Sequence, residues 1–311
     1  CATKEDVIEI LETSQDAYDG LQQLIDELEN ETVLTGILAD ISQLLDDVAI
    51  NKGKISTLES DLAAQKADYV SYKQSNIPLL QTKYIGHRGV MMIAPENTIP
   101  SFEKAGELGF WATEADCTVT SDGKWIIHHD LTVNRMTNGT GSIKDKTLSQ
   151  VKALTIDAGS NIDLYPDLKI PTLDEYLEIC TKWKMVPIIE TKGDLSTGNI
   201  ESLIDTLKTK GLINSVIISS LTLSHLTQIR NINKNVFLEY AVSAFSSSAV
   251  NTAKSLGNTM LGVEYKQINK DVMDECFESD ILVSGWTTND YNVTKNLEKL
   301  GVFSIYSDII C

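Results

Sequence analysis

The residue types that transfer protons and bind cations are concentrated between Tyr84 and Gly141. Here His87 and His129, two of only four histidines in the chain, frame the pair Glu114 and Asp116. Imidazoles serve as proton-transfer groups near neutral pH, and carboxylate oxygens bind hard divalent cations. Two proton-transfer groups beside an all-oxygen cation site are what cleavage of a phosphate ester requires.

The spacing of the acidic residues predicts how a cation would be held. Glu114 and Asp116 are two apart in an apolar run, so on a strand both side chains point to the same side. Two inward carboxylates repel each other unless a cation joins them, and Glu190, which ends the next apolar run, supplies a third. Three carboxylates suit Mg²⁺ or Ca²⁺ rather than zinc. The alternative is that they form salt bridges with the basic residues Arg88, Lys192 and Arg135.

From Lys83 onward, short apolar runs alternate with helical patterns. The predicted strands are Lys83–Gly86, Trp111–Cys117, Met185–Glu190, Ser215–Ser219, Val236–Tyr240, Met260–Glu264, Ile281–Trp286 and Val302–Tyr306. Eight strands separated by helices indicate an α/β fold, the (β/α)8 TIM barrel. A ninth short strand, Lys124–His128, is expected beside the second, and residues 131–170 are expected to form an insertion over the barrel. The predicted site residues fall at the C-terminal ends of the strands, where such barrels place their active sites.

Residues 1–80 form a different kind of segment, which we interpret as an α-helical coiled-coil and oligomerisation region. Core positions with 3-4 spacing run from Leu34 to Tyr72, which is typical of a coiled coil. Asn51 and Gln65 at core positions would fix the register. The helix is expected to end at Asn76, before Ile77 and Pro78. The alternative is a monomeric helical hairpin. A homotrimer is preferred only by analogy with trimeric viral tail proteins.

Composition restricts the partners. The chain has 26 basic and 44 acidic residues, a formal charge of −18, and this balance disfavours nucleic acid. Residues 1–82 carry 5 lysines and 16 acidic residues, so most of the excess lies in the N-terminal segment. Five widely spaced cysteines without a C-x-x-C pattern argue against a disulfide framework or a zinc site. No apolar run is long enough for a transmembrane segment. The initial Cys1 is compatible with a processing boundary or a lipid-modified lipoprotein terminus.

Residues 83–311 resemble the glycerophosphodiester phosphodiesterase family. The matching motifs are His87-Arg88-Gly89, Pro95-Glu96-Asn97-Thr98, Phe102, Ala105, Glu114-x-Asp116, Thr120–Gly123, His129-Asp130, Arg135 through Gly141, Leu173-Asp174-Glu175, Glu190-x-Lys192, Trp286-Thr287-x-Asn289 and Ser307-Asp308. The resemblance does not extend to residues 1–82. Together, the 3-4 spacing and the resemblance predict two regions: a helical oligomerisation region over 1–80 and a phosphodiesterase-like TIM barrel over 83–311.

The resemblance also implies roles for individual residues. His87 and His129 would act as general acid and base, in an order left open, and Glu114, Asp116 and Glu190 would bind one divalent cation, Mg²⁺ or Ca²⁺. The remaining candidates are expected to bind the phosphate or the glycerol: Arg88, Lys192, Trp286, Glu96 and Asn97. Arg88 and Lys192 could instead pair with the carboxylates, Asn97 could cap the helix that begins at Ile99, and Trp286 could be a core residue. Of the other histidines, His128 is expected to face away from His129, and His225 to lie on the surface of a helix.

The sequence therefore predicts metal-dependent hydrolysis of a glycerol phosphodiester. The long acidic helical segment favours a polymer, polyglycerol-phosphate teichoic acid, as the target. On this interpretation the chain belongs to a bacteriophage tail or baseplate, is extracellular, and has other virion tail proteins as partners. One alternative is a non-catalytic module that binds teichoic acid or a receptor. The other is a secreted or lipid-anchored bacterial glycerophosphodiesterase that acts on phospholipid-derived substrates.

Overall fold

A computed structural model describes residues 13–24, 35–76 and 81–309. The chain divides into two compact units, Cys1–Lys73 and Gln74–Cys311. In the described ranges, no helix combines the length and the apolar character that crossing a bilayer requires.

The second unit is a closed barrel of eight parallel strands, which confirms the predicted TIM-barrel fold. Its strands are β1 (Lys83–Gly86), β2 (Ala112–Val119), β4 (Val186–Thr191), β5 (Ile217–Ser220), β6 (Phe237–Val242), β7 (Thr259–Glu264), β8 (Val283–Trp286) and β9 (Ser304–Ser307). Each strand pairs in parallel with the next, and β1 pairs with both β2 and β9, which closes the barrel. Strand β3 (Trp125–Ile127) pairs antiparallel with β2, as predicted. Observed and predicted strand ends agree within two residues.

Helices follow the strands around the outside of the barrel. They are α3 (Ile99–Glu107), α4 (Leu148–Ala153), α5 (Leu173–Trp183), α6 (Thr197–Thr209), α7 (Leu223–Ile232), α8 (Ser247–Leu256), α9 (Lys270–Glu278) and α10 (Tyr291–Leu300). Most begin at a hydroxyl or amide side chain that accepts a hydrogen bond from a backbone N–H of the first turn. The cap of α3 is Thr98, whose side chain accepts from Ser101 N. The alternative prediction that Asn97 caps this helix is therefore wrong.

The barrel interior has its own apolar core. Ile85, Ala112, Ile188, Ile217, Met260 and Tyr306 form one buried cluster although they come from six different strands. Side chains from so many strands of a closed barrel meet only inside it, so this cluster fills the barrel below the site. A separate core packs α5, α6 and α7 against the outer face of β2, β4 and β5.

Tyr176 joins α5 to two barrel strands. The side chain is fully buried, and its hydroxyl donates to Thr113 O at 2.5 Å and accepts from Ile188 N at 3.1 Å. We expect Tyr176→Phe to lower the free energy of unfolding by about 1–3 kcal/mol, because it leaves buried backbone groups without a partner. Urea denaturation measures the change. The matched Tyr291→Phe, at a side chain 58% exposed, should shift it by less than about 0.5 kcal/mol. Equal stability of the two variants would contradict this assignment.

The insertion after β3 has a small core of its own. Val133, Met136, Ile143, Val151, Ile156 and Ile170 pack together with Ile126 of β3. The insertion therefore folds onto β3 and holds a defined position, and with it the position of Arg135, which belongs to the insertion.

In the N-terminal unit, residues 13–24 are helical (α1) and Thr35–Asn76 form one long helix, α2. Ile77 and Pro78, before which the helix is predicted to end, lie outside the described residues. One cleft is lined by Ser14, Gln15 and Tyr18 from α1 and by Val48, Ala49, Lys52 and Ile55 from α2. The two helices thus pack against each other, as in the helical-hairpin alternative.

The packing covers only part of the predicted core positions of α2. Ile41 is buried, whereas Leu44 and Leu58 are 50% and 64% exposed. Leu34, the first of the predicted core positions, lies outside the described residues. The side chains of Ile37, Leu62, Gln65, Tyr69 and Tyr72 lie outside them as well.

Candidate active site

A cavity of about 310 Å³ opens at the C-terminal ends of the barrel strands. Seven of the ten predicted site residues line it: His87, Arg88, Glu114, His129, Glu190, Lys192 and Trp286. The fold thus brings together side chains that are up to 199 positions apart in the sequence, from His87 to Trp286. Asp116 lies in the wall beside them, whereas Glu96 and Asn97 lie behind it.

Strand register explains this convergence. Asp116 of β2 pairs with Glu190 of β4, Glu190 with Ser219 of β5, and Ser219 with Glu239 of β6. Paired positions in neighbouring parallel strands lie side by side, so these four residues form one polar level around the barrel wall. Glu114 precedes Asp116 by two residues and points to the same side.

Glu114, Asp116 and Glu190 form an acidic cluster with ligand oxygens within 4.8 Å of one another. Glu114 and Asp116 are almost fully buried. Glu114 Oε2 accepts from Arg88 N at 2.9 Å, but Glu114 Oε1 is buried without a hydrogen-bond partner among the described residues. A buried carboxylate oxygen left unpaired is costly, and a cation at the cluster would satisfy it. The oxygen-only donor set fits Mg²⁺ or Ca²⁺.

The electrostatics of the cluster also favour a cation. Burial raises the pKa of Glu114 well above its ordinary value, and the charges of Asp116 and Glu190 add to the rise. Burial and Asp116 likewise raise the pKa of Glu190. Burial alone would raise the pKa of Asp116 too, but the Lys192 and Arg88 charges outweigh it and lower that pKa. Keeping all three buried carboxylates ionised therefore costs free energy unless a further positive charge, such as a bound cation, is present.

We expect the affinity for Mg²⁺ or Ca²⁺ to fall as the pH is lowered, starting above the ordinary glutamate pKa of 4.5. A proton on Glu114 must leave before the cation binds, and the raised pKa makes that proton compete at a higher pH. Calorimetric titrations at several pH values measure the effect, and Glu114→Gln should bind more weakly with a flatter pH dependence. An affinity that stays constant down to pH 5 would rule out this competition.

Each site histidine is oriented by a carboxylate. His87 Nδ1 lies 2.8 Å from Asp308 Oδ1, and His129 Nδ1 lies 2.7 Å from Asp130 Oδ1. A carboxylate at Nδ1 accepts the proton of that nitrogen, which leaves Nε2 of each ring as the nitrogen available for proton exchange. Both rings line the same cavity, so the two imidazoles are placed to act on one bound substrate.

A chain of ion pairs links His129 to the acidic cluster. Arg135 donates to Asp130 Oδ2 at 2.7 Å and to Glu96 Oε1 at 2.6 Å, and Arg88 Nη1 donates to Glu96 Oε1 at 3.2 Å. Arg88 Nε lies 3.3 Å from Asp116 Oδ2, which completes the connection. The hydrogen bonds from Arg135 lower the pKa of Asp130 well below its ordinary value, so Asp130 stays ionised beside His129.

Glu96 and Asn97 are predicted substrate contacts that the structure places elsewhere. Asn97 Nδ2 donates to Asp116 Oδ2 at 2.8 Å, and Asn97 Oδ1 accepts from Asp116 N at 3.2 Å. Glu96 is held by Arg135 and Arg88. Neither lines the cavity, and each contacts another predicted site residue, Arg88 or Asp116, so their position fits orientation of the site. Arg88 and Asn97 have φ of 54° and 55°, a strained backbone region that clusters at functional sites.

Lys192 and Arg88 also pair with carboxylates, as the alternative interpretation anticipated. Lys192 Nζ lies 2.5 Å from Glu190 Oε1 and 3.1 Å from Asp116 Oδ1. Both basic side chains nonetheless line the cavity, so they lie where a phosphate group would enter. Trp286 also lines the cavity, and its indole N–H has no partner among the described residues.

Three further residues were not among the predicted site residues. Asp130 and Asp308, which orient the histidines, belong to the motifs shared with the family, but the sequence alone assigns them no role. Glu239 lines the cavity floor, is 1% exposed, and accepts hydrogen bonds from Ser284 and Tyr306 hydroxyls. Its only sequence signal is an acidic residue inside the apolar run Phe237–Val242.

The other two histidines do not line the cavity. His128 is buried, and its Nδ1 lies 2.8 Å from Asp130 O. The expectation that His225 is a surface residue is wrong, because it is only 4% exposed. Its Nδ1 lies 3.1 Å from Thr191 Oγ1 and 3.3 Å from Ser220 Oγ, so it ties α7 to the ends of β4 and β5.

The closed barrel and the chemistry of its cavity define a TIM-barrel enzyme of the phosphoric diester hydrolase class. The model of the glycerophosphoryl diester phosphodiesterase family matches residues 87–310, and the chain belongs to this family. Its members generally depend on a divalent metal, in agreement with the buried acidic cluster.

Individual relatives agree with this assignment. A glycerophosphodiester phosphodiesterase of Caldanaerobacter subterraneus is 31% identical over 232 residues, which cover 74% of this chain and 95% of that protein. One of Bacillus subtilis is 31% identical over 255 residues, covering 72% and 84%. An Oleispira antarctica phosphodiesterase, solved in complex with the product sn-glycerol-3-phosphate, has a TM-score of 0.67 at 26% identity. That match covers 75% of this chain and 95% of that one.

Proposed function

We propose that this chain hydrolyses glycerol phosphodiesters with one divalent cation, Mg²⁺ or Ca²⁺, held by Glu114, Asp116 and Glu190. The unpaired, buried Glu114 Oε1 within the acidic cluster is the observation that carries the proposal. These residues would hold the cation, which would supply Lewis-acid polarisation of a phosphoryl oxygen and would favour ionisation of a hydroxyl nucleophile. The Oleispira antarctica relative binds sn-glycerol-3-phosphate, which supports glycerol phosphate as the recognised unit.

The protein side chains divide the remaining work. Arg88 offers a planar guanidinium and Lys192 a compact charge, and together they orient the phosphate group. Trp286 presents an apolar ring to the glycerol backbone. Nε2 of one histidine removes the proton of the attacking hydroxyl, and Nε2 of the other protonates the leaving alkoxide. The nucleophile is water or the neighbouring glycerol hydroxyl, and the latter would give a cyclic phosphodiester before hydrolysis.

We further propose that the target is a polymer, polyglycerol-phosphate teichoic acid, and that the chain works at a bacterial surface as part of a phage tail. The long acidic N-terminal helices support this proposal, since an extended anionic arm suits attachment outside the cell better than salvage of small diesters. A non-catalytic binding module would not need two histidines each oriented by a carboxylate.

The N-terminal helices are proposed to associate copies of the chain, as a coiled-coil homotrimer. Leu44 and Leu58 remain exposed on α2 after α1 has packed, and a second copy could cover them. Multi-angle light scattering of the full chain gives its mass in solution. A monomer at micromolar concentration would reject the association.

The activity is tested with the purified full chain, a small glycerophosphodiester and purified polyglycerol-phosphate. We expect release of glycerol phosphate from both, its loss on adding a chelator, and its return with excess Mg²⁺ or Ca²⁺. Absence of hydrolysis with every divalent cation tried would reject the proposed function. Hydrolysis of the small diester alone would reject only the polymer.

A further inference from the structure

A second cavity adjoins the catalytic cavity on the side of strands β5 and β6. It has a volume of about 240 Å³ and lies between the end of β6, the loop that follows, and the first turns of α8. Leu221 and Ala241 line both cavities. A substrate that outgrows the catalytic cavity therefore has a neighbouring space into which it can extend.

The size of the catalytic cavity makes this neighbour relevant. About 310 Å³ lies at the lower end of the roughly 300–1,000 Å³ typical of small-molecule sites. The cavity must also accommodate a cation and the attacking oxygen. A glycerol phosphodiester with one further repeat unit would therefore reach beyond it, past Leu221, which is 48% exposed at the shared boundary.

The residues that line the second cavity favour one chemical class of ligand, an uncharged polyol. Hydroxyl side chains of Ser243, Ser246, Ser248 and Thr252 surround it, and none of its ten lining residues, all in the described barrel, is charged. Hydroxyls both donate and accept hydrogen bonds, which suits an uncharged polyol. A phosphate group would call for basic side chains, and a quaternary ammonium group for an aromatic cage. Tyr240 is the sole aromatic residue in this lining.

The wall of the second cavity is fixed before any ligand binds. Gln267 Oε1 accepts from Phe245 N at 2.8 Å, and Gln267 Nε2 donates to Ser243 O at 2.9 Å. One glutamine thus holds two backbone positions of the loop between β6 and α8. A preformed wall lowers the ordering cost of binding.

We propose that this second cavity is a subsite for an uncharged polyol, the glycerol of the repeat unit that lies one phosphate beyond the scissile diester in an extended glycerol phosphodiester. The inference rests on the proposed function and names the part of the protein that distinguishes a polymer from a single diester. It assigns to the loop and first turn of α8 a role in substrate selection.

The test compares Ser248→Trp with Ser247→Trp. Both serines are exposed and adjacent in the first turn of α8, but only Ser248 lines the cavity. The substrates are bis(glycero)phosphate, with one scissile phosphate, and a short poly(glycerol phosphate) oligomer. We expect S248W to lower kcat/KM for the oligomer about tenfold more than for the single diester, since its indole occupies the subsite. S247W should leave the ratio of the two values as in the wild type.

Other outcomes overturn the subsite separately from the proposed function. Equal ratios in S248W and the wild type, or the same change in S247W, reject the subsite. Wild-type protein that cleaves the single diester but not the oligomer also rejects it, whereas cleavage of neither substrate rejects the proposed function itself. Should S248W disturb α8 and lower both rates, Thr252→Leu, which narrows the same cavity from the second turn, decides by the same ratio.

Discussion

Replacing Glu114 by glutamine is expected to lower kcat/KM by about 1,000-fold at low metal concentration, the equivalent of roughly 4 kcal/mol of transition-state stabilisation. Glutamine keeps the size of the side chain and an oxygen that accepts from Arg88 N, but it removes one of the three charges in the acidic cluster. Steady-state kinetics across a range of Mg²⁺ and Ca²⁺ concentrations measure the loss. Partial recovery at high metal concentration is expected, because two carboxylates remain.

Glu264→Gln is the matched control. Glu264 ends β7 at the same end of the barrel, but it pairs with Lys266 and does not line the catalytic cavity. It should retain wild-type kinetics and metal dependence. A folded Glu114→Gln variant with wild-type kcat/KM at limiting metal would remove Glu114 from the cation site.

Substitution of either site histidine by alanine should lower kcat by about 100- to 10,000-fold, the usual contribution of a positioned proton-transfer group. His87→Ala and His129→Ala each remove one Nε2 from the cavity. A p-nitrophenyl diester separates their roles, since its leaving group departs without needing a proton. The variant that lacks the general acid should recover most of its activity on this substrate, and the variant that lacks the general base should not.

His128→Gln tests whether the effect depends on position. His128 neighbours His129 in the sequence but is buried and absent from the cavity lining. Circular dichroism measures how much of the variant is folded. The folded His128→Gln variant should hydrolyse the diester at the wild-type rate. Near-normal rates in both alanine variants on a natural diester would contradict the assignment of His87 and His129.

The barrel and the acidic cluster could be predicted because their signals are local. Buried parallel strands appear in the sequence as short apolar runs, and the polar residue that ends each run lies at the rim where the site forms. Glu114 and Asp116 follow the two-residue period of a strand, so their common direction follows from spacing alone. Glu190 joins them because β2 and β4 are neighbours, which the fold class itself implies.

The errors concern residues whose partners are distant in the sequence. Thr98 and Asn97 are adjacent, and both residue types are suitable helix caps. Asn97 instead donates a hydrogen bond from its amide to Asp116, and Thr98 caps α3. His225 looks like a polar surface residue of α7, but Thr191 and Ser220 give it hydrogen bonds in a buried position. Glu239 is likewise tolerated in the barrel only because Ser284 and Tyr306 donate to it. Hydrogen bonds from residues that are distant in the sequence make these buried polar side chains tolerable, and such partners leave no periodic signal in the sequence.

The position of Arg135 limits how this enzyme can be shortened or recombined. The residue belongs to the insertion after β3, yet its guanidinium neutralises Asp130 and Glu96 at the same time. A chimera that exchanges residues 131–170 for a shorter loop without an arginine at this place would leave these two carboxylates without their shared counter-ion. Grafts in this part of the barrel therefore need to transfer the arginine together with its acidic partners, even though the insertion has a separate core.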